Sequence, residues 1–211
     1  MVSGQIRILT VDDMPVYREG LGMIIATQPD MLNVAQASDA AEAIAEYRRH
    51  QPDVTLMDRR LPSCSGIETM CTIRGEFPKA KIIMLATFDG DIEIQQALRA
   101  GALAYVLKSV AKTELLDIIR KVHSGRRCIP ANIATRLAEH MGHEDLTARE
   151  LDVLQLIGIG LRNKQIASDL GISETTVSFH IKNVVDKLEA NDRTHAVTVA
   201  LRRGLDRKSV V

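Results

Sequence analysis

Short apolar runs separated by helix-length stretches constrain this chain more than any other feature, because most of the runs close on a residue able to do chemistry. Ile6-Arg7-Ile8-Leu9-Thr10-Val11 runs into Asp12-Asp13. Asn33-Val34-Ala35-Gln36-Ala37 is a weaker run. Val54-Thr55-Leu56-Met57 follows Pro52 and ends at Asp58. Lys81-Ile82-Ile83-Met84-Leu85 precedes Ala86-Thr87, and Ala104-Tyr105-Val106-Leu107 ends at Lys108. Helical stretches lie between them, among them Ala40 to His50 and Asp91 to Ala100, the latter stopped by Gly101. Five strands alternating with helices predict an α/β fold: a doubly wound, five-stranded parallel sheet with right-handed crossovers.

Ligands of such a sheet bind beyond the carboxyl ends of its strands. Asp12, Asp13, Asp58, the Ala86-Thr87 pair and Lys108 all fall there, so three carboxylates, a hydroxyl and an ammonium converge from four strands. Any one of these alone reads as a helix cap or a solvated charge. Together they suit Mg²⁺, which takes one or two carboxylates plus waters and phosphate oxygens. A carboxylate beside a metal and a lysine is a nucleophile toward phosphorus.

From Ser124 the texture changes. Ser124-Gly125-Arg126-Arg127 and Ile129-Pro130 break the periodicity, and a short helix is expected from Ala131 to His140. The organisation expected is therefore residues 1–123, a connecting segment 124–144, and a second, all-α unit 145–211. Thr147-Ala148-Arg149-Glu150 fits a capping box, and Leu151, Leu154, Ile157 and Leu161 then share a stripe. Further helices are expected from Asn163 to Leu170, from Ser173 to about Leu188, and from Thr194 to Arg203. Helix, glycine-containing turn, helix is the layout of a DNA-binding helix-turn-helix.

The helix after Ser173 has Val177, Ile181, Val184 and Leu188 on one side. Thr175, Ser178, Phe179, Lys182 and Asp186 lie on the other, with Asn183 at the margin. Phe179 on the polar side is either a packing contact or an apolar contact for a thymine methyl. Lys182 reaches a phosphate or a guanine from that face, and Thr175 and Thr176 sit where hydroxyls or backbone amides meet phosphate.

Charge at first argues against nucleic acid, since 27 basic and 27 acidic residues cancel. The zero hides a division: net −2 over residues 1–123 and net +2 over 146–211. Cys64, Cys71 and Cys128 are an odd set with neither metal nor disulfide spacing and read as reduced thiols. No apolar run approaches the roughly 18 residues of a membrane span, and the N-terminus lacks the layout of a secretory leader. A cytoplasmic protein is expected.

Residues 5–123 resemble a response-regulator receiver domain of bacterial two-component signalling, in the segments VDDMPVYREGL, LMDRRLPSCSG, IIMLATFDGD and AGALAYVLKS. The resemblance implies that Asp58 accepts a phosphoryl group from a sensor histidine kinase. It implies Mg²⁺ held by Asp13, Asp58 and the backbone carbonyl of Arg60, with Asp12 beside them. Lys108 would pair with the phosphoryl oxygens, and Tyr105 would be the aromatic whose rotamer tracks activation. Residues 145–207 resemble the DNA-binding domain of NarL- and LuxR-type regulators through LTARELDVLQLIGIGLRNKQIASDLGISETTVSFHIKNVVDKL and DRTHAV. That likeness makes Glu174 to about Leu188 the recognition helix, with Ser178, Phe179 and Lys182 at the groove positions. The last helix is a dimer surface in several relatives.

Two departures bear on control. The family's usual Thr or Ser slot after the fourth strand holds Ala86, and Thr87 comes one residue later; either Thr87 substitutes or the hydroxyl switch is missing. Met14 replaces a common His, and Arg59-Arg60 is unusually cationic, either attracting phosphate or occupying its place. The expected function is a transcription regulator, not an enzyme, that is controlled by Asp58 phosphorylation and binds promoter DNA as a homodimer. The alternatives are an orphan regulator with an unresponsive receiver and a phosphohydrolase, which would need the second carboxylate that Asp58-Arg59-Arg60 lacks.

Overall fold

The computed structural model of the chain describes residues 4–62, 64–87, 90–139 and 146–205. In chain order the elements are β1 (Ile6–Val11), α1 (Pro15–Ala26), β2 (Met31–Ala37), α2 (Ala40–His50), β3 (Val54–Asp58), α3 (Gly66–Glu76), β4 (Ile82–Ala86), α4 (Asp91–Arg99), β5 (Ala104–Leu107), α5 (Lys112–His123), α6 (Ala131–Glu139), α7 (Ala148–Gly158), α8 (Asn163–Leu170), α9 (Glu174–Lys187) and α10 (Arg193–Arg202). Two compact units result, one built on the sheet and extending to Thr135, the other built on α7–α10.

The five strands form one parallel sheet in the order β2-β1-β3-β4-β5. Alternation along each strand sorts the side chains. Ile6, Ile8, Val54, Leu56, Ile83, Leu85, Ala104 and Val106 pack with Leu21 and Ile25 of α1 and with Leu115, Leu116, Ile118, Ile119 and Val122 of α5. With both faces of the sheet covered, the central strands read as unbroken apolar runs. β2 is longer than its alternation suggests, starting at Met31, and its register against β1 shifts between Ile8 and Leu9. It is an edge strand with a half-wet surface, so its pattern carries less apolar signal.

β5 forms the other edge. The backbone amide of Cys128 donates to the carbonyl of Leu103 (2.8 Å), and Cys128 bridges Ala104 in parallel. The connecting segment therefore begins by covering that edge. α6 follows it from Ala131 to Glu139, and His140 lies outside the described residues.

The second unit is a helix array. Thr147 and Glu150 make the reciprocal cap expected, with the Glu150 amide donating to the Thr147 hydroxyl (3.3 Å) and the Thr147 amide donating to the Glu150 carboxylate (2.8 Å). The buried stripe of α7 keeps Leu154 and Ile157 of the expected one and adds Val153. Val153, Leu154 and Ile157 are buried, Leu151 is half-exposed, and Leu161 packs from beyond the helix end. Glu150 is buried as well, paired with Lys187 at 3.0 Å. α8 ends at Gly171 in the left-handed conformation, and Ser173 caps α9 two residues later. α10 runs from Arg193 rather than Thr194, capped by Asp192.

Candidate functional sites

The register of the sheet builds the acidic pocket. Val11 opposes Met57, so the next pair along β1 and β3 is Asp12 and Asp58, side by side at the carboxyl edge. Asp13 follows at the surface. One carboxylate oxygen from each of the three lies within 4.8 Å of the others. Lys108 arrives from the end of β5, with its amide held by the carbonyl of Ala86 at 2.7 Å. Its Nζ lies 2.7 Å from Asp12 Oδ2 and 2.9 Å from Asp58 Oδ2. Asp13, Met14, Asp58, Arg59, Arg60, Ala86, Thr87 and Lys108 line a pocket of about 200 Å³.

Three carboxylates meet at this edge, with Lys108 between two of them and Arg59 and Arg60 on the pocket wall. Burial pushes the Asp58 carboxyl above its ordinary value, Lys108 pulls it down, and Asp12 pushes it up again. Burial alone would lower Lys108, but the Asp12 and Asp58 carboxylates together hold its ammonium above the usual lysine value. The Arg60 amide donates to Asp58 Oδ1 at 3.3 Å. An all-oxygen donor set of three carboxylates, opening to solvent at Asp13, has the chemistry of a hard divalent cation site.

Every pocket residue expected from the strand ends is brought to this site. Ala86 closes β4 with its methyl buried, and Thr87 follows it, exposed, on the pocket rim. Tyr105 is fully buried in β5, three residues before Lys108.

Three residues of the site escaped sequence reasoning. The ring of Tyr17 lies under Lys108 Nζ, 4.7 Å from centroid to nitrogen. Burial, then Asp12 and Asp58, push its phenol up to about 12. Arg18, next along α1, donates to the backbone carbonyl of Asp12. Gly66 opens α3 behind Asp58, and its amide donates to the carbonyl of Arg59 at 2.7 Å. No spacing rule links Tyr17 to Lys108. The glycine directly after the Ser65 cap was the one available signal.

In the second unit, α9 divides as its periodicity predicts. Val177, Val184 and Leu188 are buried and Ile181 packs beside them. Thr175, Ser178, Phe179 and Lys182 are exposed, and Thr176 and Asn183 are half-exposed. Phe179 is 60% exposed, with its ring 5.9 Å edge-on from that of His180, so packing against a neighbouring helix does not account for it. The Thr176 amide is already committed to the Ser173 cap at 3.1 Å. Ser178 is tied into a relay unforeseen from sequence. Arg193 donates to Asn163 Oδ1 (3.2 Å), and Asn163 Nδ2 donates to Ser178 Oγ (3.2 Å).

A phosphoacceptor-like acidic cluster at the carboxyl edge of a five-stranded parallel sheet, joined in one chain to a helix-turn-helix unit, defines a class of signal-controlled DNA-binding regulators. Residues 8–120 match the response regulator receiver domain family, and residues 144–200 match the luxR family of bacterial regulatory proteins. The chain belongs to the response regulators with a LuxR-type DNA-binding domain, a family of transcription regulators. It is 38% identical to the uncharacterized transcriptional regulatory protein YxjL of Bacillus subtilis (strain 168), over 97% of this chain and 99% of that protein. The crystal structure of ChrA, the response regulator of a heme-sensing two-component system, is similar with a TM-score of 0.58 and 32% identity, covering 97% of this chain and 100% of ChrA. The RcsB–DNA complex shares the fold, with a TM-score of 0.71 and 23% identity over 94% of this chain and 99% of RcsB. No helix among the described residues is long and apolar enough to cross a membrane.

Proposed function

We propose that Asp58 is the phosphoacceptor of this regulator and that its modification controls promoter binding. The observation that carries the reading is Lys108 Nζ bridging the buried carboxylates of Asp12 and Asp58 at 2.7 and 2.9 Å. An Asp58 oxygen attacks the phosphorus of a phosphodonor, either a sensor histidine kinase or a small acyl phosphate. Lys108 meets the charge on the phosphoryl oxygens. Asp13, Asp58 and the backbone carbonyl of Arg60 would hold Mg²⁺, with Asp12 beside them, and the close approach of the three carboxylates supports that assignment. When bound, the cation neutralises phosphoryl charge during transfer.

Residues 1–123 serve as the receiver, 124–144 as the connection and 145–211 as the DNA-binding unit of a cytoplasmic protein without turnover chemistry on a separate substrate. Thr175, Thr176, Ser178, Phe179, Lys182 and Asn183 form the DNA-facing side of α9. Phe179 and Lys182 are its principal contacts, since both project from the exposed face. One short helix reads few bases, so a homodimer on paired half-sites is the binding form. Phosphorylation drives it by the free-energy difference it makes between the two states.

Incubation of the purified protein with Mg²⁺ and acetyl phosphate tests the reading. One added phosphoryl group by intact mass is expected, absent in Asp58→Asn. An unmodified wild-type chain favours the second reading, a regulator with an unresponsive receiver, for which the buried methyl of Ala86 in the hydroxyl slot is the supporting observation.

A further inference from the structure

Beside the phosphoacceptor pocket lies an aromatic ring that its acidic residues do not explain. Tyr17 sits in the first turn of α1, half-buried and packed on the apolar cluster formed by the sheet, α1 and α5. Its ring face is turned to the Lys108 ammonium at 4.7 Å, within the range in which the ring quadrupole attracts a cation. The Lys108 ammonium ends a flexible four-carbon chain, and its two carboxylate partners lie at 2.7 and 2.9 Å from the nitrogen. The next residue of the same helix, Arg18, donates to the backbone carbonyl of Asp12. One turn of α1 therefore braces both the strand end that carries Asp12 and the lysine that faces it.

We propose that Tyr17 is a positioning residue whose ring face holds the Lys108 ammonium between Asp12 and Asp58 and thereby sets how fast Asp58 takes up a phosphoryl group. The inference rests on the assignment of Asp58 as phosphoacceptor. In the reaction with acetyl phosphate, an Asp58 oxygen forms the new bond to phosphorus and the bond from phosphorus to the acetyl oxygen breaks. That electron pair departs with acetate, and no proton or redox partner is needed. Lys108 assists by sitting where phosphoryl charge develops, and an ammonium free to swing away assists less. Loss of the ring face removes an attraction equivalent to roughly a three- to tenfold change in rate.

The test uses the full chain as wild type, Tyr17→Phe and Tyr17→Leu, with thermal unfolding to verify that each folds and Tyr17→Met in reserve if Leu does not. Two quantities are read: the initial rate of labelling by acetyl phosphate with Mg²⁺, and the NMR resonances of the Lys108 εCH₂ group. Wild type and Tyr17→Phe should label alike and show Lys108 resonances shifted upfield by the ring. Tyr17→Leu should label about three- to tenfold more slowly, with that shift gone. A Leu variant that labels at the wild-type rate, or a Phe variant as slow as Leu, overturns the proposal. Absence of the ring-current shift in wild type overturns it independently of any phosphorylation. A wild-type chain that takes up no phosphoryl group overturns the rate claim together with the Asp58 assignment, whereas a labelled wild type matched by Leu overturns the claim about Tyr17 alone.

Discussion

A Cβ placed on Gly66 would lie 1.9 Å from the backbone carbonyl oxygen of Asp58. The start of α3 is thus pressed directly onto the end of β3, and only a residue without a side chain permits the approach. Gly66→Ala must push α3 outward or bend the loop that carries Arg59 and Arg60. We expect a loss of about 1–3 kcal/mol in the urea unfolding of the receiver unit, the usual cost of forced overpacking. Wild-type stability in Gly66→Ala would contradict the packing described.

Asp58 is a buried carboxylate whose proton is held more tightly in the folded chain than in the unfolded one, chiefly because of burial. Its contribution therefore favours folding below the ordinary aspartate range and declines as pH rises through the elevated folded value. Above that window the charged group opposes folding. Asp58→Asn removes the charge and leaves Lys108 paired with Asp12 at 2.7 Å. In metal-free buffer at neutral pH the variant should be more stable by about 1 kcal/mol or more, with the gain shrinking in mild acid. Thermal melts across that range measure it.

Lys108 is the ammonium that Asp12 and Asp58 share. Lys108→Ala leaves Asp12 and Asp58 buried and adjacent without it, a change expected to cost about 3 kcal/mol of stability. Addition of Mg²⁺ should raise the melting temperature of both proteins by mass action, and proportionally more in the variant. A melting temperature insensitive to millimolar Mg²⁺ in both would remove the cation site.

Thr87 stands on the pocket rim one residue after the buried methyl of Ala86. If its hydroxyl supplies the switch, Thr87→Ala should still accept a phosphoryl group but lose phosphorylation-dependent association. Intact mass and light scattering separate the two. Association retained in Thr87→Ala assigns the coupling elsewhere.

The two principal contacts proposed on α9 should fail differently. Lys182→Ala should weaken operator binding across sequences and reduce the slope of log affinity against log salt by about one per subunit. Phe179→Ala should weaken binding by about 1–2 kcal/mol at its own base position with the slope unchanged. Fluorescence anisotropy over a salt series distinguishes them, and unchanged binding in both variants would remove α9 from the groove.

The legible part of the molecule was what repeats or what ends. Strand runs located the carboxyl edge, and with it Asp12, Asp13, Asp58 and Lys108, because a parallel sheet collects strand ends in one place. The Thr147-Glu150 cap was equally local. The illegible part joins residues whose approach depends on packing angles. Tyr17 meets Lys108 across 91 positions, and Asn163 meets Ser178 across a helix-turn-helix corner. The burial of Glu150 was illegible for a related reason, because its partner Lys187 lies on another helix.

The backbone pairing of Cys128 with β5 bears on how the chain behaves in company. A bare parallel edge offers a row of amides and carbonyls to any extended segment that drifts past, including one from a second, partly unfolded copy. Here the contact at Leu103 and Ala104 is already taken by the chain's own next segment. Trimming or loosening residues 126–130 would therefore cost solubility before it cost fold, since it would bare a sticky margin that the native chain keeps sealed.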